Sequence, residues 1–341
     1  MITSSVNVKN IRVYNNVING FKLGISLNAD SPNYTVSNCI VYNNVVLNCG
    51  GTTSGNGYGI HLANARNCVI SDNDVENCER HAIYHAYGEN NLIINNLIRE
   101  HCKNITTYNL LAAVEIGRKS KNVIVKGNTF ERCNNICLLV YSPLPSADSD
   151  GSTHTFRYGK CEGIIIENNT FNTGGLTGSI GNLPYVYIGV EGTSYSILSS
   201  NGTVVVDVAI LGNTFHKISS ENQKCIQIHQ CERLTIAGNT FQLGLPASPQ
   251  SSEYVVINIP TNYVSGYTTM MTIAHNTFEY SGSAVGNLYL MGANMSLFNT
   301  TTAPNYVIKW FGNTLSNQTI GGITRYLLSK NSPGNNFISY Y

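Results

Sequence analysis

Gly127-Asn128-Thr129-Phe130 is the stretch that decides the fold, because versions of it recur from one end of the chain to the other. Four later copies keep the sequence Asn-Thr-Phe, one ends in Leu, and four earlier ones carry an aliphatic residue in place of Phe. The ten copies begin at Asn16, Asn44, Asn73, Asn96, Asn128, Asn169, Asn213, Asn239, Asn276 and Asn313, and successive copies lie 23 to 44 residues apart. A repeat of this length with irregular spacing predicts a solenoid whose turns carry loop insertions.

Short β-branched runs such as Val123-Ile124-Val125 and Ile164-Ile165-Ile166 adjoin the copies and predict strands. No helical periodicity persists, so we expect almost no helix. Each strand has to lie on the equivalent strand of the next turn to satisfy its backbone groups, which predicts parallel pairing. An Asn at the same bend of each turn can pass side-chain hydrogen bonds to its neighbours above and below. The residue two positions later points into the core and stacks.

The composition excludes several classes of function. Charged residues make up 11% of the chain, against roughly 25% in typical soluble domains, and the formal net charge is +1. Because runs of Lys or Arg are absent, nucleic-acid binding is disfavoured. No apolar stretch reaches the roughly 18 residues that a membrane span needs. The first residues lack a signal-peptide layout and lead almost directly into a repeat, so we expect a domain excised from a longer protein.

The ten cysteines follow the repeat, which sets them apart from the framework of a small disulfide-rich protein. Cys49, Cys78 and Cys133 each lie five residues after the Asn of their copy, so equivalent positions stack on successive turns. We expect the cysteines to be small, buried and reduced, and the protein to be made in a reducing cytoplasm.

The sequence predicts neither a metal site nor a cofactor. No CxxC pair and no other metal-ligand spacing is present. His81 and His85 form an HxxxH spacing, but that spacing binds metal on a helix. This segment is predicted to be a strand with His85 facing inward.

The repeated Asn, the inward Phe, Ile and Val stack and the variable turn lengths resemble the right-handed parallel β-helix of the pectate-lyase-like superfamily. The resemblance covers nearly the whole chain and implies an all-β fold of about ten turns with loop insertions. We expect residues 1–292 to form the parallel β-helix. Residues 293–341 are expected to form the last turn and a C-terminal cap or trimer contact.

Within that superfamily, the low charge and the abundance of Asn, Ser, Thr and Gly look most like a bacteriophage tailspike or tail-fibre depolymerase. This resemblance implies a homotrimer that is made in the host cytoplasm and acts at the bacterial surface as part of the virion tail. It also implies binding and cleavage of a capsular or other surface polysaccharide. A secreted location is the alternative, and no family-wide catalytic motif is present.

Four strands that follow a repeated Asn align without gaps around Ser26, His61, Tyr84 and Glu115. Period-two alternation places these four side chains outside and their neighbours Ile25, Ile60, Ile83 and Val114 inside. Successive turns lie about 4.8 Å apart, so the outward side chains form a continuous row. A less secure alignment of later turns extends the row with Tyr187, Glu191, Gln227 and His229.

Two mechanisms compete for this row. Hydrolysis needs two carboxyl groups, about 5 to 5.5 Å apart for retention or 6.5 to 9.5 Å for inversion. Glu115 is the first, and the candidates for the second are Glu191, Asp148, Asp150 and Glu89. β-Elimination on a uronic-acid polymer needs a base, an acid and a cation, for which His61, Tyr84 and either Arg118 or Arg80 are available. Hydrolysis is favoured because carboxylates are more numerous on the predicted outer surface than clustered cations.

Other interpretations of the same residues stay open. Glu115 and His61 can be ordinary solvated strand residues, and Tyr84 and Tyr187 can be packing or binding surface. The protein as a whole can be a free bacterial polysaccharide lyase, a non-catalytic adhesin or receptor-binding fibre, or a structural spacer.

Overall fold

The structure, a computed structural model, describes residues 2–3, 7–29, 31, 33–51, 56–101, 111–133, 135–142, 159–172, 184–190, 205–217, 224–229, 231–244, 254–259, 268–281, 287–293, 305–317, 324–326 and 338–340. These residues form 35 strands and no helix. Within them there is accordingly no helix that could cross a membrane.

Three long parallel sheets run the length of the molecule. Sheet 1 contains, in spatial order, β1 (Ile2–Thr3), β5 (Leu23–Asn28), β9 (Tyr58–Ala63), β13 (Ile83–Ala86), β16 (Ala112–Gly117), β19 (Ile136–Ser142), β22 (Val186–Val190), β25 (Ile226–Ile228), β28 (Tyr254–Ile259), β31 (Asn287–Ala293) and β34 (Thr324–Tyr326). Sheet 2 contains β3 (Arg12–Tyr14), β7 (Ile40–Tyr42), β11 (Val69–Ser71), β14 (Leu92–Ile94), β17 (Ile124–Lys126), β20 (Glu162–Glu167), β23 (Val206–Leu211), β26 (Arg233–Ala237), β29 (Thr268–Ala274), β32 (Asn305–Phe311) and β35 (Ile338–Tyr340).

Sheet 3 contains β4 (Val17–Asn19), β8 (Val45–Leu47), β12 (Asp74–Glu76), β15 (Leu97–Arg99), β18 (Thr129–Glu131), β21 (Thr170–Asn172), β24 (Thr214–Lys217), β27 (Thr240–Gly244), β30 (Thr277–Ser281) and β33 (Thr314–Asn317). A small fourth sheet joins β2 (Val8–Lys9), β6 (Val36–Ser37) and β10 (Ala65–Arg66). Each turn of the chain contributes one strand to sheet 2, then one to sheet 3, then one to sheet 1. The architecture is therefore the predicted parallel β-helix, and the strands in 305–340 continue all three stacks.

The repeated Asn lies between sheets 2 and 3 and forms a hydrogen-bonded ladder. Each Oδ1 accepts hydrogen bonds from the backbone N–H and the Nδ2 of the Asn one turn earlier; for Asn128 and Asn169 the distances are 2.9 and 3.0 Å. All nine side-chain steps from Asn16 to Asn313 measure 2.9 or 3.0 Å. From Asn44 onward each Nδ2 also donates to a sheet 2 carbonyl of the preceding turn, as Asn169 does to Val125 at 2.9 Å. The predicted ladder is confirmed.

A left-handed residue precedes every ladder Asn, with φ between 54° and 66°. Gly and Asn reach this conformation at little cost, and most other residues do not. Eight of the ten positions are accordingly Gly or Asn: Gly127, Gly212, Gly238, Gly312, Asn15, Asn43, Asn95 and Asn168; the other two are Asp72 and His275. This bend turns the chain from sheet 2 into sheet 3 and points the ladder amide into the interior.

The residue two positions after each ladder Asn stacks inside. Phe130, Phe171, Phe215, Phe241 and Phe278 form a continuous aromatic column with ring centroids 4.8 or 4.9 Å apart. All five rings are fully buried, and strand pairing continues the column to Ile98 on one side and Leu315 on the other. The cysteines in the described residues are also buried, and no disulfide joins any two of them. Cys102 lies outside the described residues.

His85 faces inward, as predicted, and is held by a buried polar network. The Ser120 hydroxyl donates to the Gly117 carbonyl at 2.6 Å, so it accepts from His85 Nδ1 at 3.1 Å. Asn91 Nδ2 in turn donates to His85 Nε2 at 2.9 Å. Burial lowers the pKa of His85 from 6.5 to about 4, so the imidazole stays neutral near neutral pH.

Replacement of Asn169 by Ala should weaken the fold more than loss of a surface amide. The change leaves the buried N–H and Nδ2 of Asn128 without their acceptor, so we expect the free energy of unfolding to fall by roughly 3 kcal/mol or more. Urea unfolding measures the difference. Asn16→Ala is the matched control, because Asn16 is the exposed first member of the ladder and should lose about 1 kcal/mol or less. Equal losses of unfolding free energy at the two positions would show that the buried hydrogen bonds of the ladder do not add to stability.

Stability should also depend on pH through His85. Between pH 6.5 and about 4 the unfolded chain binds a proton at this side chain and the folded chain does not. The free energy of unfolding therefore falls as pH is lowered through this window, by up to about 1.4 kcal/mol per pH unit for this residue. Urea unfolding at several pH values, compared with His85→Gln, isolates the contribution. An identical pH slope in the variant would show that His85 does not titrate on unfolding.

Candidate active site

Strand pairing in sheet 1 aligns one outward side chain per turn into a line that we call the site row. Its members are direct neighbours on adjacent strands, in the order Ser26, His61, Tyr84, Glu115, Leu139, Tyr187, Gln227 and Asn258. The structure thus brings together His61, Tyr84 and Glu115 in the register that the aligned repeats predict. The alternating partners Ile25, Ile60, Ile83 and Val114 lie in the core.

Glu115 is enclosed and paired with a histidine. Its side chain is buried, with the residue only 3% exposed, and its Oε2 lies 3.1 Å from His81 Nε2. His81 is equally buried at 1% exposure, and its Nδ1 lies 2.8 Å from the carbonyl oxygen of Ala112. The alternative interpretation of Glu115 as an ordinary solvated strand residue is therefore wrong, because Glu115 faces outward from the sheet but not into bulk water.

The hydrogen bonds of His81 fix the position of its proton. A carbonyl oxygen only accepts, so the Nδ1 that faces Ala112 carries the hydrogen. Burial lowers the pKa of His81 to about 3, which keeps the ring neutral and leaves a lone pair on Nε2. A hydrogen bond from Glu115 to that lone pair requires the proton on Glu115. With a neutral imidazole at 3.1 Å, this arrangement favours the protonated form of Glu115.

Aromatic rings surround this pair. Tyr84 stacks on Tyr58 with centroids 5.0 Å apart and contacts the His81 ring at 5.4 Å and the His61 ring at 5.2 Å. Burial raises the pKa of Tyr84 well above its usual value, so its hydroxyl stays protonated. His61 is only half-buried, and its Nδ1 lies 3.2 Å from the Ser26 hydroxyl. His61 is thus more exposed than its neighbours Ser26, Tyr84 and Glu115 in the row.

Two guanidinium groups lie near the rings. Arg80 places its Cζ 5.5 Å from the centroid of Tyr58, in a cation–π contact. Arg118 follows β16 in the left-handed conformation with a φ of 54°, and its charge acts to lower the pKa of Tyr84. Both predicted substrate-binding arginines therefore lie beside the aromatic part of the site row.

Farther along the row a second polar cluster is formed by Tyr187, Gln227 and His229. The Tyr187 and His229 rings stack with centroids 4.9 Å apart, and Gln227 Nε2 donates to His229 Nε2 at 2.8 Å. Burial lowers the pKa of His229 to about 4. Leu139 separates this cluster from Glu115, since it pairs with Glu115 on one side and with Tyr187 on the other. The predicted binding residues thus form two groups.

The candidates for a second carboxylate are not placed next to Glu115 by the described residues. Glu89 forms backbone bridges with Arg66 on one neighbouring turn and Lys121 on the other, and its Oε2 is 3.8 Å from Arg66 Nε. Glu89 therefore lies off the site row. Glu191, Asp148 and Asp150 lie outside the described residues. Over the part of the chain that the structure describes, no group of three or more His, Cys, Asp or Glu side chains is arranged to hold a metal ion.

Sequence reasoning missed three members of the site for identifiable reasons. His81 lies before β13 begins, where strand alternation no longer holds. If the alternation is nevertheless continued back from Ile83, it places the His81 side chain inside. Tyr58 is the first residue of β9, and alternation from Ile60 places it inside rather than beside Tyr84. Leu139 belongs to the unbroken apolar run Ile136-Cys137-Leu138-Leu139-Val140, in which no alternation reveals the outward face.

Comparisons with known proteins agree with this architecture. A family described as "Right handed beta helix region" matches residues 1–98 and 52–243. No curated protein matches the chain. Among solved structures, ORF18 of Geobacillus virus E2 is 14% identical with a TM-score of 0.55, over 92% of this chain and 52% of that one.

Two further solved structures have the same fold. The tailspike protein of E. coli bacteriophage HK620, as a double mutant in complex with pentasaccharide, is 14% identical with a TM-score of 0.55, over 99% of this chain and 61% of that one. An alginate lyase from Paenibacillus sp. str. FPU-7 is 11% identical with a TM-score of 0.51, over 93% and 91%. The chain thus spans 52% and 61% of the two phage proteins it resembles. The family match covers more than half of the chain, and with the stacked parallel sheets it shows that this protein belongs to the right-handed β-helix family.

Proposed function

We propose that this protein binds and cleaves a polysaccharide of the bacterial surface, with Glu115 as the proton donor to the glycosidic oxygen. The observation that carries the proposal is the buried hydrogen bond between Glu115 and His81 at 3.1 Å, beside the Tyr58 and Tyr84 rings. A carboxylic acid kept neutral by its surroundings is what departure of a sugar leaving group requires. The bound pentasaccharide of the HK620 tailspike and the name of the alginate lyase support a carbohydrate ligand.

Hydrolysis is the first form of this proposal. Glu115 transfers its proton to the glycosidic oxygen as the bond from that oxygen to the anomeric carbon breaks. Water adds to the anomeric carbon, and a second carboxylate removes a proton from that water. Glu191 stays the first candidate for that second group, with Asp148 and Asp150 as alternatives. The carboxylate left on Glu115 faces the lone pair of His81, and this unfavourable contact favours uptake of a new proton from solvent, while the second carboxyl group releases its proton to solvent before the next cycle.

The remaining residues of the row bind and orient the sugar chain. Tyr84 keeps its hydroxyl proton and can donate it to a sugar oxygen, while Arg80 and Arg118 suit acidic substituents. Tyr187, Gln227 and His229 form a separate polar surface farther along the same sheet, at a spacing suited to another unit of a long polymer. His81 is a positioning residue, because it acts on the substrate only through Glu115.

β-Elimination is the second candidate. It is favoured by one specific observation: in the described residues the row contains a single carboxyl group, Glu115, next to the His61 and Tyr84 pair. His61 would remove the C5 proton of a uronate, Tyr84 or Glu115 would protonate the departing oxygen, and Arg118 or Arg80 would neutralise the carboxylate. A glycan-binding fibre or adhesin without cleavage is the non-enzymatic alternative.

The place of action is a further part of the proposal. Likeness to two phage proteins supports a homotrimeric tailspike in the virion tail that meets its polysaccharide at the cell surface. A secreted bacterial enzyme of the same fold is the alternative.

Glu115→Gln should lower cleavage by roughly 100-fold or more, because Gln keeps the shape of Glu but cannot donate an acidic proton. The protein is incubated with a panel of purified bacterial capsules, and new reducing ends and the ultraviolet absorbance of an unsaturated uronate are both followed. Reducing ends without that absorbance identify hydrolysis, and both signals together identify β-elimination. Glu89→Gln is the matched control and should retain activity, because Glu89 lies off the row beside Arg66. Full activity of the Glu115 variant would remove it from the mechanism, and no cleavage of any capsule by the wild type would favour the adhesin.

His81→Phe should move the alkaline limb of the pH–rate profile to lower pH, by about one unit. The variant removes the acceptor that stabilises the protonated form of Glu115, so the proton is lost at a lower pH. The measurement is kcat/KM against pH. His216→Gln in sheet 3 is the control for histidine loss and should leave the limb in place. A purely structural role of His81 would lower the rate at every pH without moving the limb.

A further inference from the structure

A cavity adjoins the first rung of the site row. Its volume is about 590 Å³, within the range of roughly 300 to 1,000 Å³ that is usual for small-ligand pockets. The described residues that line it include Ile18, Phe21, Lys22, Leu23, Ser26 and Asn56. None of the described lining residues is acidic, so the cavity combines an apolar wall with one positive charge and an amide.

The cavity adjoins the candidate active site at Ser26. The Ser26 hydroxyl lies 3.2 Å from His61 Nδ1, and Ser26 pairs directly with His61 in sheet 1. Glu115 lies three strands away from Ser26, or about 14 Å at the usual spacing of paired strands. A polymer that reaches Glu115 along the row from this end has its outer unit at the cavity.

The two cations on this side of the site lie along one edge of sheet 1. Gly57 donates its N–H to the Lys22 carbonyl at 2.7 Å, and Arg80 donates its N–H to the Gly57 carbonyl at 3.0 Å. Lys22 and Arg80 are therefore two strands apart, about 10 Å along the direction in which the row runs. In the described part of the chain Lys22 makes no ion pair with an acidic side chain. Negative charges repeated along a polymer would be attracted to both positions.

One aromatic ring of the apolar wall, that of Phe21, is exposed to solvent. Phe21 is 59% exposed, although it lies beside Leu23 and Ile18 in the cavity lining. An aromatic face of this kind binds the apolar face of a sugar ring, while a neighbouring ammonium binds its anionic substituent. The pairing of Phe21 with Lys22 thus fits an acidic sugar better than a neutral one.

We propose that this cavity is a subsite for an acidic sugar unit of the polysaccharide, with Lys22 on its negative group and Phe21 against its ring. The proposal rests on the proposed function, because it takes the ligand to be the glycan that occupies the site row. It goes beyond that function by assigning the class of substrate: a polysaccharide with carboxylate or phosphate groups.

The test measures equilibrium binding of the full chain in the Glu115→Gln background, so that ligands are not cleaved. The probes are capsular oligosaccharides of three kinds: uronate-containing, phosphate-containing and neutral, with the uronate members also supplied in carboxyl-reduced form. We expect binding of an acidic member that weakens at least fivefold on carboxyl reduction or, for a phosphate member, on dephosphorylation. Lys22→Gln should cause a similar loss and a shallower dependence on salt, and Lys22→Arg should keep the affinity. Because Lys22 is exposed, neither variant should change the melting temperature.

The outcomes separate this proposal from the proposed function. Preference for neutral glycans, absence of binding to every probe, or unchanged affinity of Lys22→Gln for the acidic probe would overturn the subsite. If the wild type cleaves a neutral capsule, the subsite is wrong while the depolymerase function stands. If an acidic glycan binds in a Lys22-dependent way but no capsule is cleaved, the subsite stands and the enzymatic function fails. Uronate and phosphate probes identify which acidic group the subsite holds.

Discussion

The hydrogen bonds between buried asparagines on successive turns are the interaction on which the rest of this structure depends. Between the two ends of the ladder, each Oδ1 accepts two hydrogen bonds from the Asn one turn earlier, and each Nδ2 donates onward to the next Asn and back to a sheet 2 carbonyl. A slip of one residue would leave these buried groups without partners and would turn every core side chain outward. The ladder therefore sets the register of all three sheets, including sheet 1, whose strands begin several residues after the ladder Asn.

Because the register of the strands in sheet 1 is fixed, side chains from separate turns lie next to one another in the site row. Ser26, His61, Tyr84 and Glu115 come from four different turns, and each is placed beside the next by strand pairing. Residues on paired strands of a rigid scaffold keep their separations better than residues on loops. The loops between turns can vary in length without disturbing this geometry, as the irregular spacing of the repeats requires.

The environment of Glu115 gives the row its chemical character. His81 and His85 are only four residues apart on the same turn of the β-helix, yet they meet different partners. His85 faces the interior, where Ser120 and Asn91 occupy both ring nitrogens. His81 presents the lone pair of its Nε2 to Glu115, which favours the protonated form of the Glu115 carboxyl group. At the other end of the row Ser26 borders a cavity with Lys22 and Phe21, so a buried carboxyl group and a cation lie on the same face, about three strands apart.

The sequence by itself determined the parallel β-helix, the Asn ladder, the inward Phe column and the alignment of His61, Tyr84 and Glu115. These features follow from a repeat, and a repeat with one buried hydrogen-bonding residue per turn permits a single register. Only the tertiary structure decided the pairing of Glu115 with His81, the contacts of Tyr58, the interruption of the row by Leu139 and the cavity at Ser26. His81 lies where the chain enters the strand, and there the direction of a side chain depends on the bend of the backbone. The enclosure of Glu115 depends on side chains from neighbouring turns, which no periodicity within one strand records.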